Sequence, residues 1–405
     1  MLSARSAPVI RATLPVVGAA IGEVTEAFYR RLFEEHPALL RDLFNRGNQA
    51  SGAQRQALAG SIAGFAGMLL ERPDDRPDTM LLRIAHKHAS LGVTSEQYKL
   101  VHRHLFAAIV EVLGEETVTP EVAEAWDEVY WLMANALIAI EARLYREAAT
   151  AEGEVWRQMV VAERRTEASD AISLTLRPAD GGPVAPFQPG QYVSVQVQLP
   201  DGARQIRQYS LSSAPGRPHW RITVKRVADG HTPEGEVSSW LHAHTRPGDV
   251  LTVSAPFGDL VLPPGDGPLL LASAGIGCTP MLAMLDELAR TGSSRTVTVV
   301  HADRSPDDHA HRDELQALVG RLPGATLRLW YESPGDGSGA TGLPPGTLPG
   351  RADAAALDLP DGVTVYMCGP LPFMRAFRGG LLRRGVPARS VHYEVFGPDL
   401  WLGRE

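Results

Sequence analysis

The sequence predicts a multidomain chain: an all-α domain, then a small antiparallel β-barrel, then an α/β domain with a parallel sheet. Three observations predict it. Helix formers in amphipathic runs dominate residues 1–148. From Val155 the apolar pattern switches to period two, and from Pro268 strands alternate with helices. The boundaries fall at 1–148, 154–263 and 266–405, with ATAEGE (149–154) as the linker. At about 150 residues per domain, a chain of 405 residues is expected to hold about two to three.

Composition narrows the function classes. Hydrophobic residues are 44% and charged residues 21%, a soluble globular mixture. Lys+Arg 39 against Asp+Glu 47 gives a net charge of −8, which argues against nucleic acid and against a basic membrane-binding surface. No apolar run approaches the roughly 20 residues of a membrane span. The opening MLSARSAPVIRATLPVV lacks a long apolar core with a cleavage site, so no signal peptide is expected. The two cysteines, Cys278 and Cys368, belong to no CxxC pair, so zinc and iron–sulfur sites are not expected. Nor is a disulfide framework, and a reducing cytoplasm is the expected compartment.

In the first domain, Pro15 is read as opening a helix that stops at His36-Pro37. Thr94-x-x-Gln97 reads as a capping box. Thr119-Pro120 is an N-cap followed by Pro at the first position of a long helix to about Tyr145. Between them LLRIAHKHASLG reads as a helix, with Leu81, Ile84, Ala85, His88 and Leu91 on one face. A histidine on an apolar stripe is ordinarily a core residue, and it can also ligate a buried metal. Its neighbour His86 points about 200° away on a helical wheel, which favours His88.

In the second domain VWRQMVVAERR, AISLTLRP, QYVSVQVQLP, RQYSLSS, WRITVKRV and DVLTVSAP read as strands between turn clusters, among them ADGHTPEG (228–235). In the third, PLLLASAG, RTVTVVHADRS, TLRLWYES, VTVYMCGP and VHYEVFG read as strands. TPMLAMLDELAR, HRDELQALVGRL and FMRAFRGGLLRRG read as helices. PGDGSGATGLPPGTLPG (334–350) is expected to be a long mobile loop.

The sharpest local motif is Arg207-Gln208-Tyr209-Ser210. A flavin site needs a cation for the pyrophosphate, an aromatic against the isoalloxazine and a hydroxyl or amide at its edge. RQYS on a strand offers all three. PGQY precedes it, with Tyr192 placed to flank the cofactor. Gly235, Val237 and Ser238 then open a short helix whose free N–H groups can hold phosphate. Gly275-Ile276-Gly277-Cys278-Thr279-Pro280 follows a buried strand and starts a helix, which lets a dinucleotide approach closely. It departs from GxGxxG because Pro280 stands where the third glycine would be. Cys368-Gly369-Pro370 ends a later strand, where Cys368 can face a nicotinamide or simply fill a tight turn.

The ordered set PGQY, RQYS, GxVSxW, AGxGxTP, CGP and YEVFGP resembles the ferredoxin–NADP reductase family over roughly residues 155–398. The resemblance implies an FAD-binding barrel and a nicotinamide-nucleotide domain. It places Phe396 near the flavin, with Val395, Gly397 and Pro398 beside it, and Glu394 at the flavin's reactive edge. A reductase of this kind needs an electron acceptor. The helical domain offers one in His88, with Tyr29, Gln54, Phe44 and Leu58 as pocket residues and Glu141 mid-helix, an expensive place for an unpartnered carboxylate.

Together FYRRLF, LFNRGNQ, GAQRQAL, HKHASLG, SEQY and NALIAIEARLY resemble the flavohaemoglobins across nearly the whole chain. The family implies an all-α globin, an antiparallel β-barrel FAD domain and an α/β parallel-sheet NAD(P) domain. By that resemblance His88 is the proximal ligand of haem b iron, and Tyr98 with Glu141 completes the proximal network. Tyr29 and Gln54 are distal, Phe44 and Leu58 line the haem, and Lys87 lies at the haem–flavin junction. The implied activity is nitric oxide dioxygenation: NO and O2 go to nitrate with NADH or NADPH, through FAD and haem, in nitrosative-stress detoxification.

Haem-linked alkyl hydroperoxide reduction, with lipid in the distal pocket, is an alternative. So are a haem gas sensor or O2-binding protein with a self-reducing flavin module, and a flavin reductase without haem. The expected partners are O2, NO and NAD(P)H, with no nucleic acid and no membrane span, on a monomer. Asp303 suits a ribose diol, whereas Arg304 and Ser305 suit a 2′-phosphate; the reading leans to NADH.

Overall fold

A computed structural model describes residues 1–71, 78–228, 234–333 and 346–397. Part of the ADGHTPEG turn (229–233), most of the 334–350 loop (334–345) and Pro398 lie outside them.

The first part is helical: α1 (Ser6–Glu35), α2 (Pro37–Asp42), α3 (Arg46–Ala50), α4 (Ala53–Glu71), α5 (Asp78–Leu91), α6 (Ser95–Leu113) and α7 (Pro120–Glu147). Helix α1 begins at Ser6 and carries Pro15 in its interior, which corrects the expected start. An interior proline costs roughly 3 kcal/mol because it lacks an N–H. Tertiary anchors offset it: Ile10 is fully buried, Trp126 Nε1 donates to Thr13 Oγ1 at 3.0 Å, and Ser3 Oγ donates to Glu128 at 2.7 Å. By length and composition α1 is also apolar enough to cross a membrane. Its second half is core: Val24, Phe28, Tyr29 and Leu32 pack with Leu105, Ala108 and Ile109 of α6.

Helix α5 packs on α7, which sets the histidine face of one against the mid-helix carboxylate of the other. The α5–α6 corner is closed by the linker. A Cβ on Gly92, whose φ is +76°, would lie 2.8 Å from the Gly153 carbonyl oxygen, and the Ser95 N–H donates to the Glu152 carboxylate. The ATAEGE segment is therefore pinned to the helical part along its own length.

The next six strands are β1 (Trp156–Ala168), β2 (Ala171–Pro178), β3 (Tyr192–Gln198), β4 (Arg204–Ser210), β5 (Trp220–Lys225) and β6 (Val250–Ser254), in the order β4-β3-β6-β1-β2-β5. β1 pairs antiparallel with β2, and β2 with β5. A bridge between Leu211, just past β4, and Ile222 of β5 joins the two ends of the sheet as a barrel requires. Period two is legible because Leu174, Leu176, Trp220 and Ile222 all point into the core. Helix α8 (Glu236–His244) follows β5.

The third part holds β7 (Leu269–Ala274), α9 (Cys278–Arg290), β8 (Val297–Asp303), α10 (Arg312–Gly320), β9 (Ala325–Tyr331), β10 (Leu348–Pro349), β11 (Thr364–Cys368), α11 (Leu371–Arg383) and β12 (Val391–Glu394). The sheet order is β10-β9-β8-β7-β11-β12 and its pairings are parallel. The end of the expected loop thus supplies the short strand β10. Chain order reverses between β7 and β11, so the crevice at their carboxyl ends is the place for a dinucleotide. Asp286 of α9 accepts from Arg217 and from the Ala214 N–H, which ties this sheet's helix layer to the barrel loops.

Candidate functional site

The helical site centres on α5. His88 Nδ1 lies 2.9 Å from Glu141 Oε1 and 2.9 Å from the Tyr98 hydroxyl, and that hydroxyl donates to Glu141 Oε1 at 2.6 Å. Three helices meet here, and Glu141 is buried, with a side chain 4% exposed. Its cost in the core is offset by two donors. The carboxylate accepts Nδ1–H, which leaves the Nε2 lone pair as the outward face of the ring. No described residue bonds Nε2, and the His88 side chain is a third exposed. Burial, and then the charge of Glu141, raise the Tyr98 pKa far above the usual phenol range, so it stays a donor. The donor set fits a metal held at Nε2 by a basic imidazole. His86 is buried.

The distal candidates also come together. Tyr29 is 5% exposed and packs in the α1–α6 core, with Phe44 edge-on at 5.8 Å and Leu58 against the same cluster. Burial raises its pKa, while the Gln54 and Gln49 side chains at the hydroxyl pull it down. Gln49 was not singled out from sequence. Like Gln54, it lies at the Tyr29 hydroxyl and adds a second amide to that side of the pocket. Gln205 was also missed. It is fully buried on β4, and its Nε2 donates to the Arg41 carbonyl at 3.0 Å and the Phe44 carbonyl at 3.2 Å. It thereby holds the segment that carries Phe44. A glutamine in an alternating strand gives no sign of partners some 160 residues away.

On the barrel, Arg207, Gln208 and Tyr209 are half-buried at the end of β4 and Ser210 is buried. Gln208 Nε2 donates to Ser194 Oγ at 2.9 Å. Ser210 Oγ and Ser239 Oγ are buried without partners, so each awaits a polar group. Ser239 lies in the first turn of α8, beside Val237 and Ser238, which are buried; Gly235 is the N-cap. Tyr192 is 5% exposed, a core position rather than an open face, and its backbone pairs with Phe257.

At the parallel sheet, Gly275–Gly277 form a single 3-10 turn between β7 and α9, and the first turn of α9 buries Cys278, Thr279 and Pro280. A Cβ on Gly277 would lie 2.3 Å from the Cys368 carbonyl oxygen and 2.7 Å from the Gly369 nitrogen. Glycine is therefore required where the two turns of the crevice touch, ahead of Pro370. Cys368 is fully buried, and burial, then the charge of Glu394, raises its pKa well above the usual thiol range. Burial pushes Cys278 up to about 12. Both are packed thiols, so an exposed face of Cys368 toward a nicotinamide is not what the structure shows. Ile276 is half-buried in the turn, and Val395 and Gly397 are half-buried after β12; Phe396 is 47% exposed there, free to cover a flat ligand.

Comparison with known proteins agrees with this layout. Residues 26–137 match the globin family model, residues 158–261 an oxidoreductase FAD-binding domain and residues 271–379 an oxidoreductase NAD-binding domain. The flavohemoprotein of Chromobacterium violaceum is 42% identical over 98% of this chain and 98% of its own. That of Bordetella pertussis is 43% identical over 98% of this chain and 99% of its own. The crystal structure of flavohemoglobin from Malassezia yamatoensis, with bound FAD and heme, superposes with a TM-score of 0.88 at 36% identity, covering 98% of this chain and all of that one. The FAD/NAD-binding part of nitric oxide dioxygenase from Vibrio cholerae is 37% identical with a TM-score of 0.56, covering 60% of this chain and 100% of that one. A helical haem-type site, a flavin-type barrel and a nucleotide crevice on one chain, matched end to end, make this protein a member of the flavohemoprotein family, a globin joined to an NAD(P)H oxidoreductase module.

Proposed function

We propose that this chain is an NAD(P)H-dependent nitric oxide dioxygenase that converts NO and O2 to nitrate. The observation that carries the reading is the Tyr98–Glu141–His88 network. An imidazole whose Nδ1–H is held by a carboxylate is a more electron-rich donor at Nε2, and on a bound haem iron it would favour O–O activation over simple O2 carriage. The name of the related Vibrio cholerae module supports the same activity. The nicotinamide, flavin and haem groups held by these residues would supply hydride transfer, single-electron transfer and O2 activation respectively.

The chain's own residues do the rest. His88 would hold the iron through Nε2, and Tyr98 and Glu141 orient its ring. Tyr29 stays protonated and donates on the distal side, with Gln54 and Gln49 behind it and Phe44 and Leu58 excluding water. Arg207, Tyr209 and Ser210 hold the flavin, and the α8 N-terminus with Gly235 and Ser238 holds its phosphates. The Gly275–Gly277 turn admits the nicotinamide nucleotide. Lys87 tunes the haem side of electron transfer and Glu394 the flavin side.

NADH is the preferred donor. Arg304 Nη2 and Ser305 Oγ, the groups that would take a 2′-phosphate, both bond Asp308 at 2.7 Å, and Asp303 ends β8. The protein is proposed to work as a cytoplasmic monomer.

The test is NO consumption by the purified holoprotein in aerated buffer with NADH. Nitrate formed in step with NADH oxidation is expected. NADH oxidation that ignores NO, or faster turnover with alkyl hydroperoxide, counts against the dioxygenase.

A further inference from the structure

Away from the sites above, Glu35, His36 and His104 converge. Glu35 closes α1, His36 joins α1 to α2, and His104 lies on α6, which packs along α1. One ligating atom from each lies within 4.8 Å of the other two. His36 Nε2 is 3.5 Å from Glu35 Oε1, and His104 Nε2 is 3.7 Å from Glu35 Oε2. The imidazoles stand edge to face, with centroids 5.5 Å apart. The His104 side chain is 4% exposed, so one ligand of the three is fixed by packing.

A cationic nitrogen already sits at the focus of the three. Arg103 Nη2 donates to Glu35 Oε1 and lies 3.4 Å from His36 Nε2 and 3.3 Å from His104 Nε2. Both rings thus turn an Nε2 lone pair toward a positive charge. At these lengths, just past the usual 2.7–3.2 Å range for N–H donors, a guanidinium satisfies them poorly. It is also bulky and 59% exposed, so it can leave for water at little cost. A small ion fits better. Zinc takes His nitrogen at about 2.0–2.1 Å and carboxylate oxygen at about 2.0–2.2 Å, which puts tetrahedral ligands roughly 3.3 Å apart. No pair of these atoms is more than 4.8 Å apart, so the cluster would contract by about 1.5 Å or less to reach that geometry.

We propose that Glu35, His36 and His104 form a binding site for a divalent transition metal ion, with zinc as its fitting occupant, and that the ion displaces the Arg103 guanidinium. Water completes the coordination on the exposed side. The ion would pin the end of α1 to α6. The sequence expectation against zinc rested on the lack of a CxxC pair and did not reach a nitrogen and oxygen set drawn from two distant helices.

Equilibrium dialysis of zinc against the full-length holoprotein tests the site. Losing a ligand costs at least as much as losing its outer-shell partner, so His36→Ala and Glu35→Gln are each expected to weaken one zinc site by at least about 10-fold. Arg103→Ala should tighten it, because a competing cation is gone; a purely structural ion pair would not predict that gain. All three side chains are at least a third exposed, so the variants keep the fold. A wild-type chain that retains no zinc, an unaltered affinity in His36→Ala or Glu35→Gln, or an Arg103→Ala variant no tighter than wild type overturns the assignment.

Discussion

The proximal cluster on α5–α7 and the turn between β7 and α9 are built in opposite ways. The first is made of side chains that satisfy one another: a buried carboxylate is tolerable only because Tyr98 and His88 both bond it. The second is made of side chains left out. Gly277 works because nothing projects from it into the Cys368–Gly369 backbone. One site holds its ligand by polarising a donor, the other by letting the ligand come close. The two should therefore fail differently when one atom is changed.

The largest effect is expected from His88→Ala. It should abolish stable haem binding, read as loss of the Soret band, while NADH-to-dye reduction stays near wild type. Loss of both together would show that the two sites are not separable. Gly277→Ala should do the reverse. Overpacking of this kind costs about 1–3 kcal/mol, and here it should also remove most NADH-to-dye turnover while haem content is kept. Wild-type dye reduction in that variant would mean that the close approach is not needed.

Glu141→Gln keeps volume and removes charge. Hydrogen bonds to a charged group contribute roughly 1.5–3 kcal/mol, so a lower melting temperature is expected. The iron–histidine stretch in resonance Raman should also shift down, since the imidazole becomes less basic. An unshifted band would leave Glu141 with a purely structural part. Tyr29→Phe is a smaller change: loss of one hydrogen bond of about 1 kcal/mol should speed O2 release several-fold in stopped flow. An identical off-rate removes Tyr29 from the distal role.

The smallest effect is on pH stability, and the group that carries it lies in the reductase part. Burial by itself would raise Glu314, but hydrogen bonds from His311 and Arg221 hold it down to about 2. A depressed carboxyl stabilises the fold above its unfolded pKa of about 4.3 and loses that contribution as pH falls through its folded value. Acid should thus lower the melting temperature less steeply in Glu314→Gln than in wild type between about pH 5 and pH 2. Equal slopes would show that this pair contributes nothing.

The contrast between the two sites also explains what could be read beforehand. A backbone site is written locally: two glycines two residues apart after a buried strand mark the turn, and the alternation of AISLTLRP marks the bounds of β2. A side-chain site is written in pieces. His88 shows through an apolar face and Glu141 as an oddly placed carboxylate, while the part of Tyr98 comes only with the family resemblance, and the geometry of all three depends on how α5, α6 and α7 pack. Gln49 and Gln205 carried no local sign, because an amide's value lies in what it meets. The start of α1 was misplaced for the same reason: Pro15 is a helix breaker by propensity, and only Thr13, Trp126 and the buried Ile10 explain why the helix runs through it.

The sequence by itself determined the succession of three architectures, the ordered motifs of the reductase and the candidates for haem, flavin and nucleotide, because periodicity and turn chemistry are properties of neighbours along the chain. The tertiary structure alone decided which nitrogen of His88 is tied, that Cys368 is packed away, and that Glu35, His36 and His104 all reach the Arg103 guanidinium. Those facts depend on distances between helices and strands that no local pattern encodes.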